Sequence, residues 1–437
     1  MSTAERPGTA ERPGTAERPP AAAPERAAAP GAARGPSRRA VLGGAGAGLA
    51  VGAAGGAWGG RASAQAPAAG AGAAPGGARV PFHGARQGGI VEPAQARVEW
   101  AAFDLLSSTR RDGLAALLRG WSAAAARMAA GEPAAEGENQ IALDAGPSSL
   151  TVTFGFGATL FDKAGLADRR PEALAALPAF PGDALDPARS DGDLWVQVGA
   201  DDALVAVHAL RVLVRLATGL AAPRWLMSGF ARTPGATPHP MTGRNLMGQV
   251  DGTNNPRPQD EGFAATVFAT GPDWMAGGSY AVLRRIRMLL EGWDTLPLER
   301  QERIVGRRKS DGAPLSGGPD AVERTPVDLA ATHPDGTLAI APDAHVRVAA
   351  AASNGGAAML RRGFSFHDGL LPDGSPDAGL LFAAYQADPA RGFVPVQQRL
   401  ARGDGLSRYL RHEASALFAV PPGAPEGGYV GQPLLEG

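Results

Sequence analysis

The chain contains no cysteine. Disulfide bonds, iron–sulfur clusters, thiolate metal ligation and covalent cofactor attachment through a Cys-x-x-Cys-His motif are all excluded. Any metal cofactor must be held without a covalent tether, and histidine is the most apt ligand. The same absence lets the chain live in an oxidising compartment without mispairing, although it does not dictate one. A charge excess is also missing. With 42 Lys and Arg against 43 Asp and Glu, the formal net charge is −1, so there is no basic field for nucleic acid. No His-Glu-x-x-His or comparable metal pattern occurs.

The 437 residues leave room for two or three domains, and a 44% hydrophobic content permits a sizeable core. Much of that content is alanine, so seven tryptophans and fourteen phenylalanines supply the large apolar bodies. Residues 1–64 read as a disordered N-terminus plus an export signal. Thr3-Ala4-Glu5-Arg6-Pro7-Gly8 recurs at Thr9 and nearly again at Thr15, too polar and Pro-rich to fold. Ser37-Arg38-Arg39 then precedes a weakly apolar run that ends at Ala62-Ser63-Ala64, before Gln65. Paired arginines ahead of such a run resemble a twin-arginine signal. A transmembrane anchor is the competing reading, and the nine glycines between Gly43 and Gly60 weaken it. The expectation is export by the twin-arginine translocation machinery to the periplasm or the cell exterior.

Residues 65–79 form an Ala/Gly/Pro-rich linker, and the folded region follows. Strands are expected at Val98–Leu105, Ser149–Gly157, Asp193–Gly199 and Pro223–Gly229, with helices at Arg111–Met128 and Ala203–Thr218. That order is the split β-α-β pattern of a ferredoxin-like domain. The second half repeats it, with a strand at Ser279–Met288, a helix at Pro297–Gly306, and a Gly/Pro-rich loop from Arg308 to Thr325. Strands at Phe364–Phe366 and Leu380–Tyr385 follow, then short helices at Phe393–Leu400 and Leu406–Leu410. The expected fold class is α+β, two tandem ferredoxin-like halves with antiparallel sheets. The halves span residues 80–235 and 236–437 and join where prolines cluster between Thr233 and Pro240.

Two features carry the chemistry. Eight Asp-Gly dipeptides occur, and only Asp251-Gly252, in Gly248-Gln249-Val250-Asp251-Gly252-Thr253-Asn254, has a glycine three places before the aspartate. Seven histidines are present. His83 sits in the leading loop, His208 in an apolar helix as a core histidine, His239 between prolines, His333 before a proline, His367 at a strand end and His412 after an arginine. His345 opens the segment Val346-Arg347-Val348. Taken alone, Asp251-Gly252 could equally be a turn, Arg361-Arg362 a solvated pair, and Arg284, Arg285 and Arg287 a solvated face.

The ordered set of motifs resembles the dye-decolourising peroxidase family, in its exported deferrochelatase/peroxidase-like subfamily. It runs from Gly88-Gly89-Ile90 through Asn245–Asn254 and Trp293-Asp294 to Gln301-Glu302 and Ile304–Arg307. It continues with His345-Val346-Arg347, Leu360–Phe366 and Leu380–Gln386. The resemblance covers nearly all of the folded region. It implies the dimeric α/β-barrel superfamily, a haem peroxidase, and non-covalent haem b in the C-terminal half. Residue by residue, it implies His345 as the proximal iron ligand, Asp251 as the acid that moves a proton on peroxide, and Arg361 as the cation beside it. Arg307 matches a propionate contact. Leu380 and Phe382 line the pocket or simply pack the core, and Gly252 and Thr253 border the cofactor. Asp404 is the candidate acceptor for the second nitrogen of His345.

The implied partners are hydrogen peroxide and a small-molecule reductant such as a dye or phenol, with a homo-oligomer left open. Tyr385, Trp274 and Trp293 are either electron relays or core aromatics. Gln249-Val250 replaces the family's commoner Phe-Lys, and Phe366 stands where tyrosine is frequent. Two other readings stay open: a protein that removes iron from haem and leaves the porphyrin intact, and a haem carrier without turnover.

Overall fold

Alternation along the first strand sorts its side chains to two faces. In β1 (Arg97–Leu105), Val98, Trp100 and Ala102 join one apolar cluster, while Ala101, Phe103 and Leu105 join another. Period two is the geometry of a pleated strand. Seven more strands follow: β2 (Thr151–Phe156), β3 (Leu194–Ala200), β4 (Ala221–Phe230), β5 (Ser279–Met288), β6 (Leu360–Leu370), β7 (Pro376–Gln386) and β8 (Leu410–Val420). The computed structural model describes residues 76–135, 138–237 and 241–437. The twin-arginine segment, most of the linker, His239 and the end of the proline-rich join lie outside the described residues.

The strands close into a barrel in the order β1-β3-β2-β8-β5-β7-β6-β4, and each pairing is antiparallel. Within it, β4-β1-β3-β2 and β8-β5-β7-β6 have the same internal order, that of the split β-α-β unit. A single register pair joins the halves on each side, Phe156 with Ala419 and Phe230 with Ser365. The interior cluster takes Trp100, Trp195, Phe364, Tyr385 and Phe418 from both halves.

Helices cover the outer faces. These are α1 (Arg111–Ala129), α2 (Ala158–Lys163), α3 (Ala203–Leu216), α4 (Phe263–Val267), α5 (Leu290–Asp294), α6 (Leu298–Val305), α7 (His345–Val348), α8 (Phe393–Gly403) and α9 (Gln432–Glu436). α1 buries Leu114, Leu117, Leu118, Trp121 and Met128 along one stripe. The α3 N-terminus is capped by the Asp202 carboxylate, which accepts from the N–H groups of Leu204 and Val205 at 2.8 and 3.0 Å. His208 on α3 is a satisfied core histidine, with Glu138 at 3.2 Å and Asn139 at 3.1 Å. No helix among the described residues is long and apolar enough to cross a membrane.

Two expectations are corrected. The short helix expected at Leu406–Leu410 is a 3-10 helix, Gly405–Tyr409, but the strand that follows it, β8, was not expected. Alanine-rich β8 has little intrinsic strand preference. It is held by its place in the sheet, with Ala414, Ala416 and Phe418 filling the interior and Glu413 and Ser415 receiving arginines from β5. Nor are Arg284 and Arg285 a solvated face, since both are fully buried. Arg284 pairs with Asp183, and its guanidinium lies over Phe180. Arg285 pairs with Asp368, Asp377 and Glu413, and sits 3.8 Å from the ring centroid of Phe366. Buried cations need such partners.

Burial first, and the Arg284 charge second, push the His412 imidazole down from 6.5 to about 3. The unfolded chain therefore takes up a proton that the folded chain refuses. The resulting stability is intact above about 6.5 and is lost as pH falls toward about 3. His412→Gln is expected to flatten the decline in urea midpoint between neutral and mildly acid buffer. An unchanged slope would mean that the imidazole is solvated.

Candidate functional site

Three segments distant in sequence converge on the outer face of the C-terminal sheet. The first is a tight hairpin. Arg244 and Val250 form a bridge, and the side-chain oxygen of Asn245 accepts from the N–H groups of Met247 and Gln249. Two glycines make this turn possible. Gly248 has φ +77°, and a β-carbon there would meet the Lys309 side chain at 2.5 Å; Gly252 has φ +120°. Both backbones lie where L-residues are strained. The turn delivers Asp251, whose N–H donates to the Gly243 carbonyl at 2.9 Å.

The second segment is the start of β6. The Arg361 Nη1 donates to Asp251 Oδ1 at 3.1 Å, and the Asn245 amide lies 3.4 Å from the other carboxylate oxygen. Asn255 clamps the Arg361 backbone from both sides, donating to its carbonyl at 2.6 Å and accepting from its N–H at 3.2 Å. The next residue points the other way. Arg362 is buried and holds the carbonyls of Glu92 and Pro93 and the side chain of Gln95. The pair is therefore not a solvated one. Nor is Asp251 merely a turn residue, because its carboxylate reaches across to another strand.

The third segment is α7, whose first residue is His345. Its Nδ1 meets Asp404 Oδ2 at 2.8 Å, and the Asp404 side chain is almost wholly buried. The other Asp404 oxygen accepts from the Leu406 N–H at 2.9 Å. Burial opposes charge on the ring, but the charge and hydrogen bond of Asp404 outweigh it, so the imidazole pKa lies above its ordinary value. Arg361 and Asp251 also act on this imidazole through space. One electrostatic neighbourhood thus holds all three segments.

Arg307 belongs to it too. It is 8% exposed, and its Nη1 donates to the Gly312 and Glu323 carbonyls. Burial first lowers its pKa; Glu323 opposes that, and the Arg361 charge adds to it. The two guanidiniums are close enough for one charge to act on the other, and such a pair attracts an anion. The Glu323 carboxylate also accepts from Thr253 at 2.8 Å and Thr242 at 2.6 Å. The Thr253 hydroxyl is therefore already committed, with Gly252 beside it.

Between these groups lies apolar sheet. Leu380 and Phe382 of β7 are only partly buried, with Leu380 at the edge of the cluster around Trp293 and Phe382 at the edge of the one around Phe393. Opposite Phe382 in the register is Gly363, which is exposed and carries no side chain. The residues present fit a planar, iron-holding, carboxylate-bearing group. An imidazole with one nitrogen tied back is ready to ligate, the floor is apolar and partly uncovered, and cations stand at the rim. Trp274, Trp293 and Tyr385 are buried in packed clusters. Trp274 and Trp293 donate to the carbonyls of Arg169 and Met247, each at 3.1 Å.

Sequence reasoning gave Asn255 no role and missed Glu323. Asn255 lies within the Thr253-Asn254-Asn255-Pro256 run and was legible as motif. Glu323 sits in the Gly/Pro-rich loop with no local signal.

Comparison with known proteins follows the same lines. The family described as Dyp-type peroxidase, N-terminal matches residues 87–231, and Dyp-type peroxidase, C-terminal matches residues 242–425. The chain is 47% identical over 366 residues to the dye-decolorizing peroxidase of Thermobifida fusca, covering 81% of this chain and 84% of that one. It is 37% identical over 378 residues to the deferrochelatase of Escherichia coli K12, covering 81% and 87%. Among solved structures, ferric DtpA from Streptomyces lividans matches with a TM-score of 0.82 and 59% identity, over 83% of this chain and 98% of that one. A DyP-type peroxidase from Streptomyces coelicolor matches equally well, at 60% identity.

The turn yields a direct check. Gly248→Ala is expected to cost about 1–3 kcal/mol from backbone strain alone, read as a lower melting midpoint. Gly120→Ala, within α1 and with open space at the β-carbon, is expected to stabilise by up to about 1 kcal/mol. Equal effects at the two positions would remove the conformational argument for Gly248.

Proposed function

The chain belongs to the Dyp-type peroxidase family and is a haem peroxidase, and from that premise we propose the parts its residues play. The observation that carries the reading is the Asp251–Arg361 contact at 3.1 Å, in the same electrostatic neighbourhood as an imidazole held by a buried carboxylate. Non-covalent haem b supplies the redox centre at which hydrogen peroxide is reduced. His345 offers Nε2 to the iron, because its Nδ1–H is held by Asp404; that bond fixes the tautomer and makes the ring a better donor. Leu380 and Phe382 would offer the bound group an apolar surface. Arg307 would offer its guanidinium to a carboxylate of that group, with Gly252 and Thr253 nearby in the chain segment that carries Asp251.

Asp251 takes a proton from one peroxide oxygen and returns it to the other, directly or through one water. The Arg361 guanidinium stabilises negative charge on the departing oxygen. It also anchors the carboxylate by its hydrogen bond. Dyes and phenols are the expected reductants. Release of iron from haem is the second reading, favoured by the deferrochelatase relatives. The Asp251–Arg361 pair argues against a haem carrier without turnover, since carriage needs no proton shuttle. Metal-free protoporphyrin formed without peroxide would favour the second reading.

Asp251→Ala is expected to lower the rate of reaction with peroxide by about 100-fold or more, and Arg361→Leu by a comparable factor. Asp404→Asn is expected to weaken iron ligation or activity by about 10–100-fold. Stopped-flow spectra of the purified variants read all three effects, and near-full activity in Asp251→Ala would remove that residue from the reaction. We further propose export by the twin-arginine pathway to the periplasm or cell exterior, carried by Ser37-Arg38-Arg39 and Ala62-Ser63-Ala64. Mature protein is then expected to begin at Gln65, and Arg38→Lys with Arg39→Lys to leave the product in the cytoplasm. An unprocessed, cytoplasmic native protein would refute this.

A further inference from the structure

A concavity lies apart from the residues just described. It is a cleft of about 550 Å³ walled by α7 and α8, and none of Asp251, Arg361, Arg307, Leu380 or Phe382 lines it. Its size is within the range of small-molecule sites. Three arginines line it, Arg347, Arg399 and Arg402, and no acidic residue does. Arg347 spends Nε and Nη2 on the carbonyls of Leu329, Ile340 and Ala341. Arg399 and Arg402 differ. They stand one turn apart on α8, both exposed, and neither has an ion-pair partner among the described residues. Pro342, Val348 and Pro395 give the walls an apolar part. Unpaired guanidiniums beside apolar surface select an anion with an aromatic body, by charge and by planar stacking.

The position of the cleft gives the site a purpose. Val348 lines it and is the last residue of α7, whose first residue is His345. Three residues of helix span about 4.5 Å along the axis at 1.5 Å per residue. Gly403 lines it as well and directly precedes Asp404. Both members of the hydrogen-bonded His345–Asp404 pair are therefore rooted in its wall.

We propose that this cleft docks the anionic aromatic electron donor of the peroxidase, for example a sulfonated or carboxylated phenol. The proposal rests on the peroxidase reading above. Each hydrogen peroxide takes up two electrons and two protons to give two waters. Two phenolic donors supply them, each losing one electron and its hydroxyl proton to leave a phenoxyl radical. The cleft holds the donor; the chemistry of peroxide stays with Asp251 and Arg361.

The test uses the haem-loaded enzyme, a sulfonated phenol, and the same phenol without its sulfonate. In the Arg399→Glu/Arg402→Glu variant, KM for the sulfonated donor is expected to rise at least about tenfold. KM for the neutral phenol and for peroxide is expected to hold. Added salt should raise KM for the sulfonated donor in the parent enzyme and do so far less in the variant. Calorimetric binding of the sulfonated phenol without peroxide should weaken in parallel. Equal KM shifts for both donors, or unchanged binding, would overturn the proposal. Failure of the parent enzyme to oxidise either phenol would instead overturn the peroxidase reading.

Discussion

The register of β6 is the constraint on which the site depends. Arg361 and Arg362 are neighbours in sequence and point to opposite faces of one strand. The first reaches Asp251, 110 residues away; the second is buried against the leading segment. Because side chains alternate with period two, a slip of one residue would exchange them. The site cation would then be buried, and the buried cation would lose its carbonyls. Pairing with β7, Arg361 opposite Ala384 and Gly363 opposite Phe382, fixes that register, and Asn255 pins it at the backbone. The hairpin around Gly248 does the same for the carboxylate. Neither charged group is placed by its own preferences; each is placed by backbone geometry that only the assembled sheet enforces.

This division explains what the sequence disclosed. Strands with large apolar residues on alternate positions, β1, β2, β3 and β5, were legible because burial on one or both faces leaves its pattern in the residues themselves. β8 was not, because its inward residues are mostly alanine and its outward ones polar, so its identity comes from neighbours. The β5 arginines misled for a related reason. Three arginines in four positions look solvated until the carboxylates that enclose them, Asp183, Asp368, Asp377 and Glu413, arrive from elsewhere in the chain. In the site, Asp251, Arg361 and His345 were visible as motif, and Asp404 as a suspicion that the 2.8 Å contact now makes concrete. Glu323 was invisible, since its loop has no periodicity, and only the fold brings it to Arg307, Thr242 and Thr253.

The two halves share one strand order and differ in what covers them. On the N-terminal half, the nineteen residues of α1 and the fourteen of α3 fill the outer face with Trp121, Leu117, Leu210 and Leu213. On the C-terminal half, α8 has eleven residues, α6 eight and α7 four, and the clusters behind them are small and separate. Shorter cover leaves Leu380 and Phe382 only partly packed and makes space where the first half has none.

That asymmetry has a consequence for how the molecule breathes. A region with few apolar contacts of its own borrows rigidity from whatever occupies it. Without its prosthetic group, the segment carrying α6 and α7 should exchange amide protons well before α1 and α3 do, as a separate unit of local opening. The cofactor would then act as a missing piece of hydrophobic core.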